Sequence, residues 1–516
     1  MKYWIPLVWA CLWAPASWAQ PAPDPVVERF ASTITARDLR AHMYFLADDL
    51  LEGRETGERG MHLAAHYIRT QFRRLGLPGA VGPDEYYQTY YVNWSEVSES
   101  SLKIGKKSYG YGEGYFHLQQ RLPASFPAEL AFAGFGLQTE GYNNLQHTRL
   151  AGKTAVVMAG DPAGSKAPSN RFAQLFSWIS RSESVEAAGA AAMLLLLPDT
   201  VYNAVRRFAS SRSSSISGEE EQEFPVLIVS ESLGKQLLEA AGQDWAQLAG
   251  QLKTSDAVPA LDFKKAKFSF SCVSDGGSKP AMNVLGYLEG TDKADEVLVI
   301  TGHYDHIGIT NGEINNGADD DASGTSTVLE LAEAFTEAAR AGYRPRRSIL
   351  FMTVSGEEKG LWGSEFYANH PVYPIANTVA NLNIDMIGRI DPRYEKLADS
   401  TNYVYIIGSD KLSTQLHEAN EAANQAYTNL VLDYTYNDDK DPNRFYYRSD
   451  HYNFAEKGIP IIFYFTGTHV DYHRPTDDPH KIRYEKTAKI ARLVFATAWD
   501  LANRESRPVV DKPVKP

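Results

Sequence analysis

The first part of the chain carries apolar residues at helical spacing. Between residue 36 and about residue 76, Ala64, Ile68 and Phe72 fall on one helical face, and Gly76 follows the last apolar position. A glycine in that place commonly ends a helix. We therefore expect a folded domain to begin within residues 20–109.

Between residues 110 and 262 the pattern changes to short strand-like runs. The runs are AELAFAGFG, KTAVVMAG, AAMLLLL and FPVLIVS, and a serine-rich stretch at 210–217 interrupts them. Short aliphatic runs bounded by glycine or proline are typical of strands. We interpret residues 110–262 as an inserted, β-rich module.

From about residue 263 to residue 505, apolar runs alternate with helical patterns. This alternation is typical of an α/β domain with a mostly parallel central sheet and helices on both faces. Residues 506–516 are expected to be a disordered tail. The predicted strands are 296–302, 348–354, 379–385, 403–408 and 460–465, and the predicted helices are 323–341, 411–426, 449–457 and 482–503.

The first 19 residues have the organisation of a signal peptide. Lys2 supplies a positive charge, an apolar stretch runs from Trp4 to Trp13, and Ser17-Trp18-Ala19 offers a cleavage site of the small-x-small type. The mature protein is therefore expected to be secreted or periplasmic. No later segment has the roughly 18 apolar residues needed to span a bilayer, so membrane insertion is not expected.

Removal of this leader changes the cysteine count and the charge. Cys272 becomes the only cysteine, so no internal disulfide is expected. The remaining 50 basic and 64 acidic residues give a net charge of −14. A negative surface disfavours nucleic acid and anionic membranes as partners. Neither feature indicates an oligomeric state.

Polar residues follow three of the predicted strands and occupy two later or intervening segments. In an open α/β sheet, ligands bind in the crevice beyond the carboxyl ends of the strands. A single histidine or carboxylate at such a place is more often structural, but the joint placement of several favours a functional site. The segments are HYDH at 303–306, GADDDASG at 317–324, GEE at 356–358, Asp385 and YHRPTDD at 472–478.

Imidazole and carboxylate groups together are ligands that suit zinc. The cluster is too acidic for one divalent ion, and two ions about 3.5 to 4 Å apart that share a carboxylate would balance its charge. The sequence therefore predicts a two-metal hydrolase.

In their order and spacing, the five segments resemble metallopeptidase family 28, the co-catalytic zinc aminopeptidases of clan MH. The resemblance covers about residues 263–503, and LADDLLEGRETGERG with the helix after it resembles the N-terminal part of the family's peptidase domain. It implies a three-layer α/β/α sandwich of the phosphorylase/hydrolase-like type. The inserted segment resembles a protease-associated domain.

The resemblance also implies roles for individual residues and two Zn²⁺ ions per chain. His303 and Asp385 would bind one zinc, Glu358 and His473 the other, and Asp320 would bridge them. Glu357 would be the general base. Asp305 would hold the His303 ring, and His306 has no assigned role. Tyr446 occupies the place of a tyrosine that stabilises the oxyanion, with Tyr447 as its rival.

The function implied is an exported aminopeptidase, a zinc-dependent protease that hydrolyses peptide substrates at the N-terminus. A glutamate-carboxypeptidase-like dipeptidase or a glutaminyl cyclase on the same fold remains an alternative. The carboxypeptidase activity would require an arginine that binds a substrate carboxylate, and Arg389 is the candidate. A non-catalytic binding protein would lack a ligand or the base, and none is missing.

Overall fold

The computed structural model describes residues 23–117, 122–139, 141–165, 171–206, 212–216 and 224–513. It divides into two compact units, one formed by residues 1–90 with 281–516 and the other by residues 91–280. The predicted signal peptide, residues 1–19, lies outside the described residues.

Helices and strands follow one another along the whole described chain. The helices are α1 (Pro25–Ala31), α2 (Ala36–Leu46), α3 (Arg59–Arg74), α4 (Arg171–Ile179), α5 (Ser182–Ala187), α6 (Asp199–Val205), α7 (Glu231–Ala240), α8 (Trp245–Thr254), α9 (Ala322–Arg340), α10 (Trp362–Asn369), α11 (Thr414–Ala423), α12 (His451–Glu456) and α13 (Tyr484–Asn503). The strands are β1 (Tyr87–Ile104), β2 (Lys107–Gly110), β3 (Tyr115–His117), β4 (Leu130–Phe132), β5 (Gln138–Thr139), β6 (Tyr142–Asn143), β7 (Thr154–Met158), β8 (Ala192–Leu197), β9 (Arg212–Ile216), β10 (Val226–Ser230), β11 (Ser269–Leu288), β12 (Lys293–His303), β13 (Ile309–Thr310), β14 (Glu313–Ile314), β15 (Arg347–Val354), β16 (Thr378–Ile384), β17 (Tyr403–Ile407), β18 (Val431–Asp433) and β19 (Ile461–Phe465).

The first unit is built on one large sheet. Its strands run in the order β18, β17, β19, β16, β12, β15, β11, β1. The pairs β12–β15, β12–β16, β16–β19 and β17–β18 are parallel, whereas β15–β11 and β17–β19 are antiparallel. The prediction of an α/β domain with a mostly parallel sheet is confirmed.

Alternate residues of the central strands pack against helices on opposite faces of the sheet. Val299 and Met352 belong to a cluster with Tyr367 of α10 and Phe454 of α12. Phe351, one residue away from Met352, points to the other face and contacts Phe335 of α9, with the ring centroids 6.1 Å apart. Burial on both faces explains why these strands are continuous apolar runs in the sequence.

The second unit has its own sheet and its own apolar core. Its five strands run in the order β3, β10, β8, β7, β4, and the pairs from β10 to β4 are parallel. Helices α4 to α8 accompany them, so the module is a mixed α/β unit and not simply β-rich. Its bounds, 91–280, are wider than the predicted 110–262.

The C-terminal segment differs from its prediction as a disordered tail. Arg507 donates hydrogen bonds to the carbonyl oxygens of Ala376 (3.0 Å) and Thr378 (2.8 Å), and the amide of Asp511 donates to Leu412 (3.1 Å). These contacts hold residues 507–511 on the first unit, which a sequence without hydrophobic periodicity does not indicate. Among the described residues, no helix has the length and apolar character needed to cross a membrane.

Candidate metal centre

Three adjacent parallel strands end at the same edge of the first unit's sheet. Strand β12 ends at His303, β15 is followed by Glu357 and Glu358, and β16 is followed by Asp385. Because β12 lies between β15 and β16, these side chains meet in one crevice. The placement predicted from the sequence is thus what the topology produces.

Asp320 reaches the same crevice from the loop that precedes α9. The neighbouring Asp321 caps this helix: its carboxylate accepts from the amide of Gly324 at 2.7 Å and from the amides of His303 (3.2 Å) and Met386 (3.1 Å). One side chain therefore ties the helix N-terminus to two strand ends. Gly324 is required there, because an added Cβ would lie 2.1 Å from the carbonyl oxygen of Ile384.

His303 stands at the centre of a first group of polar atoms. Its Nε2 lies 3.2 Å from Oδ1 of Asp320, 3.6 Å from Oδ1 of Asp385 and 3.9 Å from Oε2 of Glu357. The other carboxylate oxygen of Asp385, Oδ2, accepts a hydrogen bond from the Ser449 hydroxyl at 2.7 Å. The ligand atoms of His303, Glu357 and Asp385 lie within 4.8 Å of one another, close enough to share an ion.

A second group forms on the other oxygen of Asp320. The Nε2 of His473 lies 3.1 Å from Oδ2 of Asp320 and 3.1 Å from Oε2 of Glu358. His306 joins this group, with its Nδ1 2.6 Å from Oε1 of Glu358. The two oxygens of Asp320 therefore face two different groups, as a bridging carboxylate requires.

Several of the buried atoms that face each other in these groups lack ordinary hydrogen-bond partners. Burial without a partner is costly for a polar atom unless an ion supplies the missing interaction. The unpartnered buried atoms include His303 Nε2, Asp320 Oδ2, Glu358 Oε1 and Asp385 Oδ1. Nitrogen and carboxylate oxygen donors in this arrangement fit zinc.

The adjacent glutamates Glu357 and Glu358 have opposite electrostatic environments. Burial, with the negative charges of Glu358 and Asp385, raises the pKa of Glu357 well above its usual value. Burial also opposes ionisation of Glu358, but His306 and His473 outweigh it and lower the pKa of Glu358 to about 2. Neighbouring acids with separated pKa values are suited to different chemical roles.

Asp305 supports the His303 ring in a way that differs in detail from the prediction. The Nδ1 of His303 is 3.1 Å from the backbone carbonyl oxygen of Asp305 and 3.7 Å from its carboxylate. That carboxylate instead accepts from the Thr56 hydroxyl at 2.6 Å and from the amide of Glu357 at 3.3 Å. Asp305 thus positions both the histidine and the glutamate loop.

Arg54, which was not identified from the sequence, binds the two loops that carry His303 and Asp320. Arg54 is buried, and its guanidinium donates to the carbonyl oxygens of Tyr304 (2.7 Å), Asn316 (2.7 Å) and Gly317 (3.0 Å). It also donates to Leu46. The only sequence signal was its place in the LADDLLEGRETGERG segment.

The structure does not bring Tyr446 to the carboxylates. Tyr446 and Tyr447 line a separate cavity of about 620 Å³, whereas the pocket beside Asp320, Glu357 and Asp385 is lined by Phe445, Arg448 and Tyr472. Residues 445–447 form a 3₁₀ turn, in which residues three apart share a side. Phe445 and Arg448 therefore face the pocket together, and Tyr446 is turned away.

Arg389, the predicted carboxylate-binding arginine, is already paired. Its guanidinium contacts Asp471 at 2.7 Å and Asp477 at 3.4 Å. Asp477 in turn accepts from the amides of Asp319 (2.9 Å) and Asp320 (3.3 Å). Arg389 thus stabilises the ligand loop and is not free for a substrate.

Comparison with known proteins finds similarity to metallopeptidases. Residues 283–498 match the model of peptidase family M28. A probable zinc metalloprotease of Pyricularia oryzae is 28% identical over 258 residues, covering 43% of this chain and 50% of that protein. Aminopeptidase YwaD of Bacillus subtilis is 26% identical over 265 residues, covering 50% of this chain and 52% of that protein. The chain thus spans about half the length of these relatives.

A similar fold is also found among solved structures. An aminopeptidase from Aneurinibacillus sp. strain AM-1 superposes with a TM-score of 0.56 and 18% identity. The superposition covers 95% of this chain and 98% of that one. At this identity the similarity shows a shared fold.

Proposed function

We propose that this chain, which belongs to peptidase family M28 through its residues 283–498, is an exported aminopeptidase that uses two zinc ions to release N-terminal residues from peptides. One observation carries the proposal: Asp320 presents Oδ1 to His303 at 3.2 Å and Oδ2 to His473 at 3.1 Å. A carboxylate with a different imidazole on each oxygen is suited to bridge two ions.

The ligand roles follow from this bridge. His303 and Asp385 would hold one zinc, Glu358 and His473 the other, and Asp320 both. Bound zinc would polarise the peptide carbonyl and make a water molecule more acidic. The buried, unpartnered atoms of His303, Asp320, Glu358 and Asp385 support the assignment.

Glu357 is the proposed general base. It lines the pocket beside Asp320 and Asp385, and its Oε2 is 3.9 Å from His303 Nε2. From there its carboxylate takes the proton of the attacking water and returns it to the leaving amine. Asp305 fixes the loop on which Glu357 stands, through the 3.3 Å hydrogen bond from the Glu357 amide.

The export and the inserted domain are parts of the same proposal. Residues 1–19 would direct the protein to the periplasm or outside the cell. Residues 91–280 would be a protease-associated domain that influences access of peptides, since the proposed ligands all belong to the other unit. Deletion of the module in a variant that still folds should leave turnover of small substrates largely intact.

A peptide panel tests the function. Peptides with a free N-terminal amine and their N-acetylated forms are incubated with the purified protein, and product masses are measured. We expect stepwise loss of N-terminal residues from the free-amine peptides alone, inhibition by a chelator and recovery with Zn²⁺. Release of C-terminal residues, cyclisation of N-terminal glutamine, or equal cleavage of acetylated peptides would contradict the proposal.

A further inference from the structure

The pocket beside the proposed metal ligands combines an apolar wall with one cation. It is a small pocket, with a cavity volume of about 30 Å³, and Met386, Phe445, Phe463 and Phe465 form its apolar part. Arg448 is the only lysine or arginine among the described residues that line it. Once zinc balances the carboxylates, Arg448 would be the main unpaired charge facing a substrate there.

The Arg448 side chain is held in position but not neutralised. Its Nη2 donates to the Tyr472 hydroxyl at 3.1 Å, and its guanidinium carbon lies 5.0 Å from the centre of the Phe445 ring. Within the part of the chain that the structure describes, no carboxylate pairs with it. Arg389, in contrast, is paired with Asp471 and Asp477.

We propose that Arg448 binds a carboxylate of the substrate, so that the enzyme prefers peptides which present an acid in this pocket. The inference rests on the proposed aminopeptidase function. Guanidinium carries five N–H donors and binds carboxylates through two parallel hydrogen bonds. The contact with Tyr472 uses one Nη2 hydrogen and leaves the other donors available.

The apolar wall matches the rest of such a substrate. The methylene groups of a glutamate side chain would lie against Phe445 and Phe463 while its carboxylate reaches Arg448. The carboxylate has two possible sources: the side chain of an acidic N-terminal residue, or the C-terminus of a dipeptide. Both sources present the same chemistry to Arg448, so the substrates must distinguish them.

Two matched substrate pairs separate these sources. Glutamyl and glutaminyl p-nitroanilides differ only in the side-chain charge, and Leu-Gly and Leu-Gly amide differ only in the terminal carboxylate. We expect kcat/KM to favour the acidic member of at least one pair by about 10- to 100-fold, the range of a charge-assisted hydrogen bond. The pair that responds identifies the source.

Arg448 variants show whether this preference depends on the guanidinium. Arg448→Gln should abolish the difference in kcat/KM between the acidic and the neutral member of the responding pair, and Arg448→Lys should retain part of it. Arg448→Glu should reverse the charge preference, so that a lysyl substrate is favoured. Arg444→Gln is the control, because Arg444 lies over the Tyr447 ring and does not line the pocket. It should leave the difference in kcat/KM unchanged.

The outcomes also separate this inference from the proposed function. Hydrolysis of free-amine substrates without an acidic preference, or with a preference that persists in Arg448→Gln, would overturn the inference and leave the aminopeptidase function standing. Failure to hydrolyse any free-amine substrate, with zinc bound, would overturn both.

Discussion

The Nδ1 of His306 lies 2.6 Å from Oε1 of Glu358, inside the group that also contains His473. His306 is fully buried, and its ring centroid is 5.7 Å from that of His473. Gly317 leaves room for the ring, because a Cβ there would lie 2.5 Å from it. Glu358 is therefore flanked by two histidines.

This contact predicts that His306 contributes to metal binding. His306→Asn should weaken the affinity for one of the two zinc ions by about 10- to 100-fold, whether the ring binds the ion or orients Glu358. Competition against a chromogenic chelator measures this affinity. His480→Asn, at an exposed position beside Asp478, is the control and should bind zinc normally. Unchanged affinity in His306→Asn would show that the histidine only fills space.

Arg54 is predicted to stabilise the ligand loops. A lysine cannot reproduce the fork that donates to Tyr304, Asn316 and Gly317, so it leaves buried carbonyl oxygens unpaired. Arg54→Lys should lower the free energy of unfolding by about 3 kcal/mol or more, measured by denaturant titration. Arg59→Lys, at an exposed ion pair with Glu52, should change it by less than about 0.5 kcal/mol. Equal effects would contradict the role of Arg54.

Lys486 gives a pH dependence of stability with a defined sign. Burial lowers its pKa from 10.5 to about 7, while its Nζ donates to the carbonyl oxygen of Arg389 at 2.8 Å. At pH values between about 7 and 10.5, Lys486 is protonated in the unfolded chain and neutral in the folded chain. The contribution to stability therefore rises as pH rises from about 7 to about 10, and it is constant below about 7.

The comparison variant is Lys486→Met, which cannot titrate. From pH 7 to pH 9, the wild-type protein should gain about 1 to 2 kcal/mol of unfolding free energy relative to Lys486→Met. Unfolding is measured at both pH values in the same denaturant. If the unfolding free energy of the wild-type protein does not rise relative to that of Lys486→Met between pH 7 and pH 9, the pKa of Lys486 is not lowered in the folded protein.

Much of the first unit could be predicted from the sequence because its strands are buried on both faces. Such strands appear as continuous apolar runs, and the predicted 348–354 and 379–385 correspond to Arg347–Val354 and Thr378–Ile384. The side chains that follow them had to meet, since the carboxyl ends of neighbouring parallel strands share an edge. The same reasoning placed Glu357, Glu358 and Asp385 in one crevice.

Other features depend on geometry that no local pattern carries. Three of the hydrogen bonds of Arg54 join it to residues 250 or more positions away, and the segment around Arg54 does not identify those partners. Tyr446 lies within the short 3₁₀ turn at 445–447 and Arg448 directly follows it, so the orientation of this turn decides which of them faces the pocket. The short helices of the second unit were not predicted, because brief amphipathic segments resemble the loops around them.

The adjacent residues Glu357 and Glu358 give the most direct test of the central claim, a two-zinc centre with a separate carboxylate base. Glu357→Gln and Glu358→Gln are compared in zinc content per chain, by elemental analysis, together with kcat and KM. An amide keeps the size of each side chain but neither accepts the water proton nor binds zinc well. In the proposed assignment the loss of a zinc ligand concerns Glu358, which contacts His306 and His473, and the loss of a proton acceptor concerns Glu357.

We expect Glu357→Gln to retain both zinc ions and to lose about a hundred-fold or more in kcat with little change in KM. Glu358→Gln should lose one zinc ion. If Glu357→Gln instead loses zinc while Glu358→Gln retains both ions, the base and the ligand are reversed and this account of the centre is wrong.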